Sequence, residues 1–318
     1  MDKSIEKSLI EAVGRENFTS SLIDLVSYSY DASDHNSRPE AAVWPVSTDQ
    51  VAAVMRMASE NHIPVTPRGA GTGLAGAAVP LKGGIVMDLS RMNRILEIRI
   101  KDRQAILQPG VVYADLDRAL APHGFFFPPD PASSQSCTIG GNVATNAGGI
   151  RGAKYGVTRD YVLALEVVLA DGRVMHTGSG CLKSSSGYDL VRLFVGSEGT
   201  LGIITEITLK INPRPTAHRT AEACFQELEK AGAAVVEIIE AGIVPSVLEI
   251  LDVNTIRALK DHGGMDLPDA EAILLVETDA LTDHEAAFQM ERVVEVMNRN
   301  GAIQIREADT VSKAESLW

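Results

Sequence analysis

Cysteine is scarce in this chain: Cys137, Cys181 and Cys224 are the only three, far apart and with no CxxC pair among them. That excludes a disulfide framework and a thiolate zinc site, and it fits a chain kept reduced in the cytoplasm. Long apolar runs are missing as well. None approaches the ~20 residues of a membrane-spanning helix, and the N-terminal stretch Met1–Gly14 lacks the continuous apolar core of a secretion signal. Any membrane attachment is therefore expected to be peripheral, through a partner subunit. Positive charge is outnumbered, with 29 Lys and Arg against 42 Asp and Glu and a net charge of −13. Such a balance argues against a nucleic-acid partner, because phosphate backbones are held by clustered cations. A small anionic substrate stays open, since one local Arg or Lys can dominate a cleft. The seven histidines show no HxxH or HExxH spacing, so no metal ligand is assigned.

What is present suits a folded chain of two domains: 45% of its 318 residues are apolar, enough for a sizeable core. Ile5, Leu9, Ile10 and Val13 recur at helical spacing and stop at Gly14. A second helix is expected from a Ser47 or Thr48 cap to about His62, ended by Pro64, and the short segment Ile63–Thr66 reads as a strand. Gly84–Leu89, Ile95–Ile100 and Gln104–Gln108 read as strands, and Val112–His123 as a helix closed by Gly124. From Phe125 to about Tyr161 the chain reads as one long functional loop. Strands return at Ala164–Leu169 and Arg173–Thr177 around an Asp171-Gly172 turn, then a helix at Leu190–Val195 and a strand at Leu201–Ile211. Pro213 and Pro215 mark a boundary, giving domains 1–215 and 216–318. Beyond it strands and helices alternate as βαβ-type units, with the helices expected on one face of a sheet.

The most distinctive segment is Pro67–Pro80, PRGAGTGLAGAAVP. Gly71, Gly73 and Gly76 match G-x-G-x-x-G, the spacing of a nicotinamide-binding loop. That site needs a helix to begin at the loop, so that its N-terminal N–H groups receive a pyrophosphate. Here Pro80, Gly83 and Gly84 leave no room for one. Two readings remain: a glycine-rich surface turn without a ligand, or a long nest of backbone N–H donors shaped for a diphosphate. Arg68 and Thr72 either add side-chain donors to that nest or merely satisfy a turn.

Further small-residue segments favour the nest. Thr138–Gly149 reads TIGGNVATNAGG, and Tyr155-Gly156 and Gly196–Gly202 (GSEGTLG) follow. In order and spacing these segments, together with DPASSQSC before Thr138 and GYDLVRLFVGSEGTLGIIT, resemble the FAD-binding domain of the vanillyl-alcohol oxidase and p-cresol methylhydroxylase superfamily. Within it they are most similar to the 2-hydroxy-acid dehydrogenases of the glycolate and D-lactate type. The resemblance covers roughly residues 40–212, and Ile243–Asp252 extends it into the second domain.

The resemblance implies an α+β protein: a p-cresol methylhydroxylase-type (PCMH-type) FAD-binding domain of two α/β subdomains, then part of an α/β cap, or substrate, domain. It implies that Arg68, Gly69, Ala70, Gly71, Thr72, Gly73, Gly76 and Ala77 cradle the FAD diphosphate. Pro131, Cys137, Thr138, Gly141, Thr145 and Gly148 would line the ribityl and isoalloxazine path, and Gly199 and Ile203 the adenine end or the loop supporting it. Some members tether FAD through a His near the first loop. Position 70 is Ala and the loop holds no His, so FAD is expected to be non-covalent. The implied reaction is oxidation of a small 2-hydroxy acid, with electrons passed to an iron–sulfur, cytochrome or quinone-linked acceptor subunit; the alternatives are an FAD-binding subunit or fragment without turnover of its own, and a non-dehydrogenase relative on the same FAD fold.

No catalytic residue is assigned. Relatives carry a carboxylate-binding arginine and a histidine-rich cluster after a Leu-Trp pair; the matching pair here is Leu317-Trp318, so those residues are expected beyond it. Asn146 reads equally as a flavin contact or an Asx-turn residue, and Lys183 as a flavin partner or a solvated lysine. Tyr155 and Tyr188 read as loop anchors, and Cys137 as a packing residue.

Overall fold

The computed structural model describes residues 1–308, 313, 314 and 317. Trp318, half of the Leu-Trp pair, lies outside the described residues. Along the chain come α1 (Lys3–Val13), β1 (Phe18–Thr19), α2 (Leu22–Ser27), β2 (Ala41–Val43), α3 (Thr48–Glu60), β3 (Val65–Arg68), β4 (Ile85–Asp88), β5 (Ile95–Arg99), β6 (Gln104–Leu107), α4 (Tyr113–Leu120), β7 (Phe125–Phe126), α5 (Ile139–Thr145), α6 (Gly152–Tyr155), β8 (Val162–Val168), β9 (Val174–Gly178), α7 (Leu190–Phe194), β10 (Ile203–Lys210) and β11 (Asn212–Pro213). Then follow β12 (Ala217–Phe225), α8 (Leu228–Glu240), β13 (Val247–Asp252), α9 (Val253–Gly263), β14 (Ala272–Ala280), α10 (Asp283–Arg299) and β15 (Gln304–Ala308). The elements form two compact units, Met1–Ala147 with Val157–Pro213, and Gly148–Gly156 with Arg214–Trp318.

In the first unit, α1 begins where the Asp2 side chain accepts from Ser4 N and ends at Gly14, whose φ of 90° breaks the helix. Ser47 caps α3 in the same way, through Gln50 N at 3.3 Å. The two helices bury Leu9, Val13, Val51, Val54 and Ala58 against Ile85 and Met87 of β4 in one core. Beneath them lies a sheet in the order β1-β2-β4-β3, in which β2, β4 and β3 run parallel. The parallel register sets Arg68, the last residue of β3, beside Asp88, the last of β4. The glycine-rich loop therefore leaves from the carboxyl end of a buried strand, as ligand loops of parallel sheets do. A second, antiparallel sheet follows in the order β5-β6-β10-β8-β9.

The expected long loop after Phe125 is interrupted: α5 and α6 lie within it. Glycines disfavour a helix by intrinsic propensity, but tertiary packing overrides it here. Thr138 caps α5 by accepting from Gly141 N at 3.3 Å, and Ile139 and Val143 are buried. Gly140 is required by close approach, since a Cβ there would run into Pro109.

The second unit has one antiparallel sheet, ordered β13-β14-β12-β15. Between β12 and β13, which α8 connects, β14 is inserted, so the units are split βαβ motifs. The helices cover both faces of this sheet, where the alternating pattern predicts one. Ala221, Ala223 and Phe225 of β12 and Leu274 and Val276 of β14 pack with residues of α8 and α10 such as Ala231, Ile238, Met290 and Val293. Cys224 and Ile273 point the other way and meet Ile256 of α9. The physical reason is the two-residue period of a strand: β12 and β14 carry apolar residues at consecutive positions, so both faces need cover.

Candidate cofactor-binding site

Within the first unit three loops expected from the sequence come together. A Cβ added to Gly69 would run into Thr138 Oγ1, and one added to Gly199 would run into Pro67. Gly196 N donates to Val143 O at 3.0 Å, and Glu198 N donates to Ala144 O at 2.8 Å. The turn at 196–199 is thus pinned to α5, and α5 begins at the threonine against which the first loop rests.

The first loop offers its backbone to a ligand. Among the described residues, no protein acceptor receives a hydrogen bond from the backbone N–H of any residue between Gly69 and Ala77. Only Gly76 in this run is buried, with Ala70, Leu74 and Ala75 exposed, so the donors face solvent; a run of them beside φ values of 69° at Gly71 and 79° at Gly76 suits an anion nest. Gly73 has open space where a Cβ would stand. No helix follows, the next element being β4, so the loop lacks the helix of a nicotinamide site.

Arg68, which is buried, braces this loop from within. Its Nη1 donates to Tyr30 O at 2.8 Å and to Ala78 O at 3.4 Å, and its guanidinium lies under Gly71 and 5.6 Å from the centroid of the Tyr28 ring. Tyr28 donates its hydroxyl to Asp88 Oδ2 at 2.7 Å, and Trp44 Nε1 donates to the same oxygen at 3.2 Å. Burial, with the Asp88 charge and hydrogen bond, pushes the Tyr28 phenol well above its ordinary value. The stretch from Tyr30 to Ser37 adds an outer brace: Ala32 N donates to Gly73 O at 3.1 Å, Ser37 Oγ donates to Pro80 O at 2.8 Å, and the His35 ring lies against Gly76. Desolvation raises the Asp31 carboxyl, but hydrogen bonds from Ser33 and Ala78 and the Arg68 charge hold it below its usual value. Sequence reading missed Tyr28, Trp44, Asp88 and His35, because no spacing motif links them to the loop.

Of the remaining residues expected at the site, Ala70 and Thr145 are exposed and Thr72 and Ala77 half-buried, whereas Pro131 is buried. Thr145 donates its hydroxyl to Gly141 O at 3.0 Å. Ile203 sits in the core with Val168. Gly148 belongs to the second unit. Cys137 is buried, and that burial pushes its thiol up, which suits packing and not nucleophilic attack. Asn146 takes a left-handed φ of 50° as the cap of α5 and accepts from Arg159 N at 2.9 Å. Lys183 is exposed. Tyr188 is exposed too, whereas Tyr155 anchors its loop by donating to Asp279 Oδ2 at 2.7 Å.

The architecture matches that of proteins solved before. Alkyldihydroxyacetonephosphate synthase matches with a TM-score of 0.82 at 20% identity, over 99% of this chain and 62% of that one. p-Cresol methylhydroxylase matches with a TM-score of 0.80 at 20% identity, over 96% of this chain and 65% of that one. At that identity the likeness defines the fold alone. In sequence, residues 39–178 match the family described as FAD binding domain, and residues 214–318 the C-terminal domain of FAD linked oxidases. The chain is 42% identical to glycolate oxidase subunit GlcD of Bacillus subtilis, over 99% of this chain and 67% of that protein. It is 39% identical to D-lactate dehydrogenase of Anaerostipes hadrus, over 89% of this chain and 61% of that protein. The chain belongs to the FAD-linked oxidase family of which these are members, and FAD is its cofactor. It spans about 59 to 67% of the length of the GlcD relatives.

Proposed function

We propose that this chain binds FAD non-covalently and serves the oxidation of a small 2-hydroxy acid, of the glycolate or D-lactate type, to the 2-oxo acid. The observation that carries the cofactor half is the run of uncommitted N–H groups from Gly69 to Ala77, which suits a diphosphate. Gly71, Gly73 and Gly76 let the backbone come close, and Arg68, Tyr28 and Asp88 hold its shape. Pro131, Cys137, Thr138, Gly141, Thr145 and Gly148 would follow the ribityl and ring portion, with Gly199 and Ile203 toward the adenine end. When bound, the flavin supplies the two-electron acceptor for the substrate's α C–H. The protein's own share is binding, orientation and exclusion of water.

The likeness to glycolate oxidase subunit GlcD and D-lactate dehydrogenase supports the substrate class. Electrons are proposed to leave through a non-nicotinamide acceptor, an iron–sulfur, cytochrome or quinone-linked partner. Purified protein tests the reading directly. A yellow protein whose flavin is released by acid, and bleached anaerobically by glycolate or D-lactate, is expected. Colourless protein that takes up no added FAD would overturn the cofactor assignment. Yellow protein that neither acid bleaches would show that this length of chain holds FAD without turnover.

A further inference from the structure

Residues 29–37, which brace the first loop from outside, form a small hairpin of their own. Tyr30 and Asn36 pair as an antiparallel bridge, and Ser37 N donates to Ser29 O at 2.8 Å. Three bonds tie this hairpin to the first loop and its flanks: Arg68 Nη1 donates to Tyr30 O at 2.8 Å, Ala32 N to Gly73 O at 3.1 Å and Ser37 Oγ to Pro80 O at 2.8 Å. The turn is also fixed from within. Asp31, which is buried, accepts from Ser33 N at 2.8 Å, and Ser33 Oγ accepts from His35 N at 3.2 Å. Local bonds of this kind hold a turn in one shape, and so set where its side chains point.

The His35 ring points at Gly76. A Cβ added to that glycine would run into His35 Cδ2, with Nε2 3.4 Å away. The ring itself is exposed, and neither of its nitrogens has a hydrogen bond or ion pair among the described residues. A polar ring edge without a protein partner therefore borders a run of backbone N–H groups without a protein acceptor. An imidazole offers one N–H donor when neutral and two when protonated. An anion is the ligand that the N–H run and such a donor would hold in common. The surrounding charges permit it: the Arg68 charge stabilises the Asp31 carboxylate, and Asp34 and Arg38 of the same hairpin are exposed, where salt screens them. A metal ion is poorly served, because no three His, Cys, Asp or Glu among the described residues are grouped to hold one.

We propose that His35 is a phosphate ligand of the cofactor: its imidazole donates to an oxygen of the diphosphate in the first loop, and residues 29–37 form the second wall of that seat. The inference rests on the reading that the first loop holds the FAD diphosphate, and it adds a residue from outside every glycine-rich segment. A hydrogen bond to an ionised acceptor is shorter and stronger than one between neutral groups, so its loss is measurable in affinity.

The test titrates the full chain, stripped of flavin, with FAD and with riboflavin, which lacks both phosphates, by flavin fluorescence. His35→Ala is expected to weaken FAD about tenfold. His35→Phe, which keeps a ring against Gly76 but has no donor, is expected to lose as much. His35→Gln, which keeps an N–H donor, is expected to stay within about threefold of wild type. Wild-type FAD affinity in His35→Ala or in His35→Phe would overturn the phosphate contact, as would a His35→Gln no better than His35→Phe. FAD held no tighter than riboflavin by the wild-type protein would overturn the diphosphate reading and the His35 contact together. FAD held much tighter than riboflavin, with His35→Ala unchanged, would overturn the His35 contact alone.

Discussion

Gly69 lies so close to Thr138 that a single added carbon would run into the threonine hydroxyl. The same hydroxyl oxygen accepts from Gly141 N and starts α5. One atom therefore sets both the closest approach of the first loop and the beginning of the second. Gly69→Ala is expected to push the loops apart and to lower the flavin-to-protein ratio at least severalfold. Thr138→Ala removes a helix cap and costs about 1 kcal/mol in stability, yet it also clears the space that a Cβ on residue 69 needs. The double variant is therefore expected to hold more flavin than Gly69→Ala alone. Absorbance at the flavin band against protein concentration measures this; a double variant no better than the single one would contradict the shared-atom account.

The glycines of the first loop are not interchangeable. Gly71 has φ 69° and its added Cβ would meet the Arg68 guanidinium, whereas Gly73 has open space. Gly71→Val puts a branched side chain where left-handed backbone disfavours it, a cost of about 1–3 kcal/mol, and displaces the loop's internal brace. It is expected to abolish FAD retention while the core of the second unit, around Phe225 and Val293, still melts cooperatively. Normal flavin content in Gly71→Val would refute the placement of the diphosphate.

Much of this site is readable from the residues in a row, and the rest is not, for a physical reason. Glycine spacing and Pro80 show that no helix follows the first loop, because those effects act on neighbouring residues. In the second unit, alternation and helix spacing give the elements within a few residues, but the burial of consecutive positions such as Ala223 and Cys224 is needed to see that α9 covers the opposite face. Helix α5 is hidden by its own glycines, whose weak propensity is outweighed by packing of Gly140 on Pro109. The contacts that brace the loop join residues 60 apart, as in Tyr28 and Asp88. In the second unit, the hydrogen bond from Lys154 to Asp279 O joins residues 125 apart. Such pairs leave no local pattern, since strand register and chain crossing bring them together.

The brace under the first loop makes its own prediction. Tyr28→Phe keeps the ring beside Arg68 but removes the hydroxyl that donates to Asp88, leaving Trp44 and Ser90 as donors to that carboxylate. Loss of a hydrogen bond to a buried charged acceptor is expected to lower stability by about 1.5–3 kcal/mol. FAD affinity should fall less than in Tyr28→Leu, which also loses the stacking face. Chemical denaturation and fluorescence titration with FAD separate the two effects; equal affinity in Tyr28→Phe and Tyr28→Leu would show that the ring does not hold Arg68.

A pH-dependent prediction comes from the antiparallel sheet of the first unit, where register aligns Glu206 of β10, Glu166 of β8 and His176 of β9 in one row. Glu166 is well served: Thr48 and Thr205 donate their hydroxyls to its Oε1, at 2.6 and 2.7 Å, and His176 Nε2 lies 3.5 Å from its Oε2. Glu206 stands directly across from that carboxylate, and like charges in this position destabilise a sheet. Burial first, and the Glu166 charge second, raise its pKa, with the His176 charge opposing. A carboxyl whose folded pKa is raised binds its proton more tightly when folded. Its ionisation therefore favours unfolding as pH climbs past the unfolded value near ~4.3. Glu206→Gln removes that charge while keeping the shape. The variant is expected to melt at a higher temperature than wild type at pH 7 and above, with the gap closing as pH falls toward 4. Thermal melts at a series of pH values check it. A variant less stable than wild type at pH 7 would mean that the Glu206 carboxylate has a stabilising partner and that the opposed pair carries no penalty.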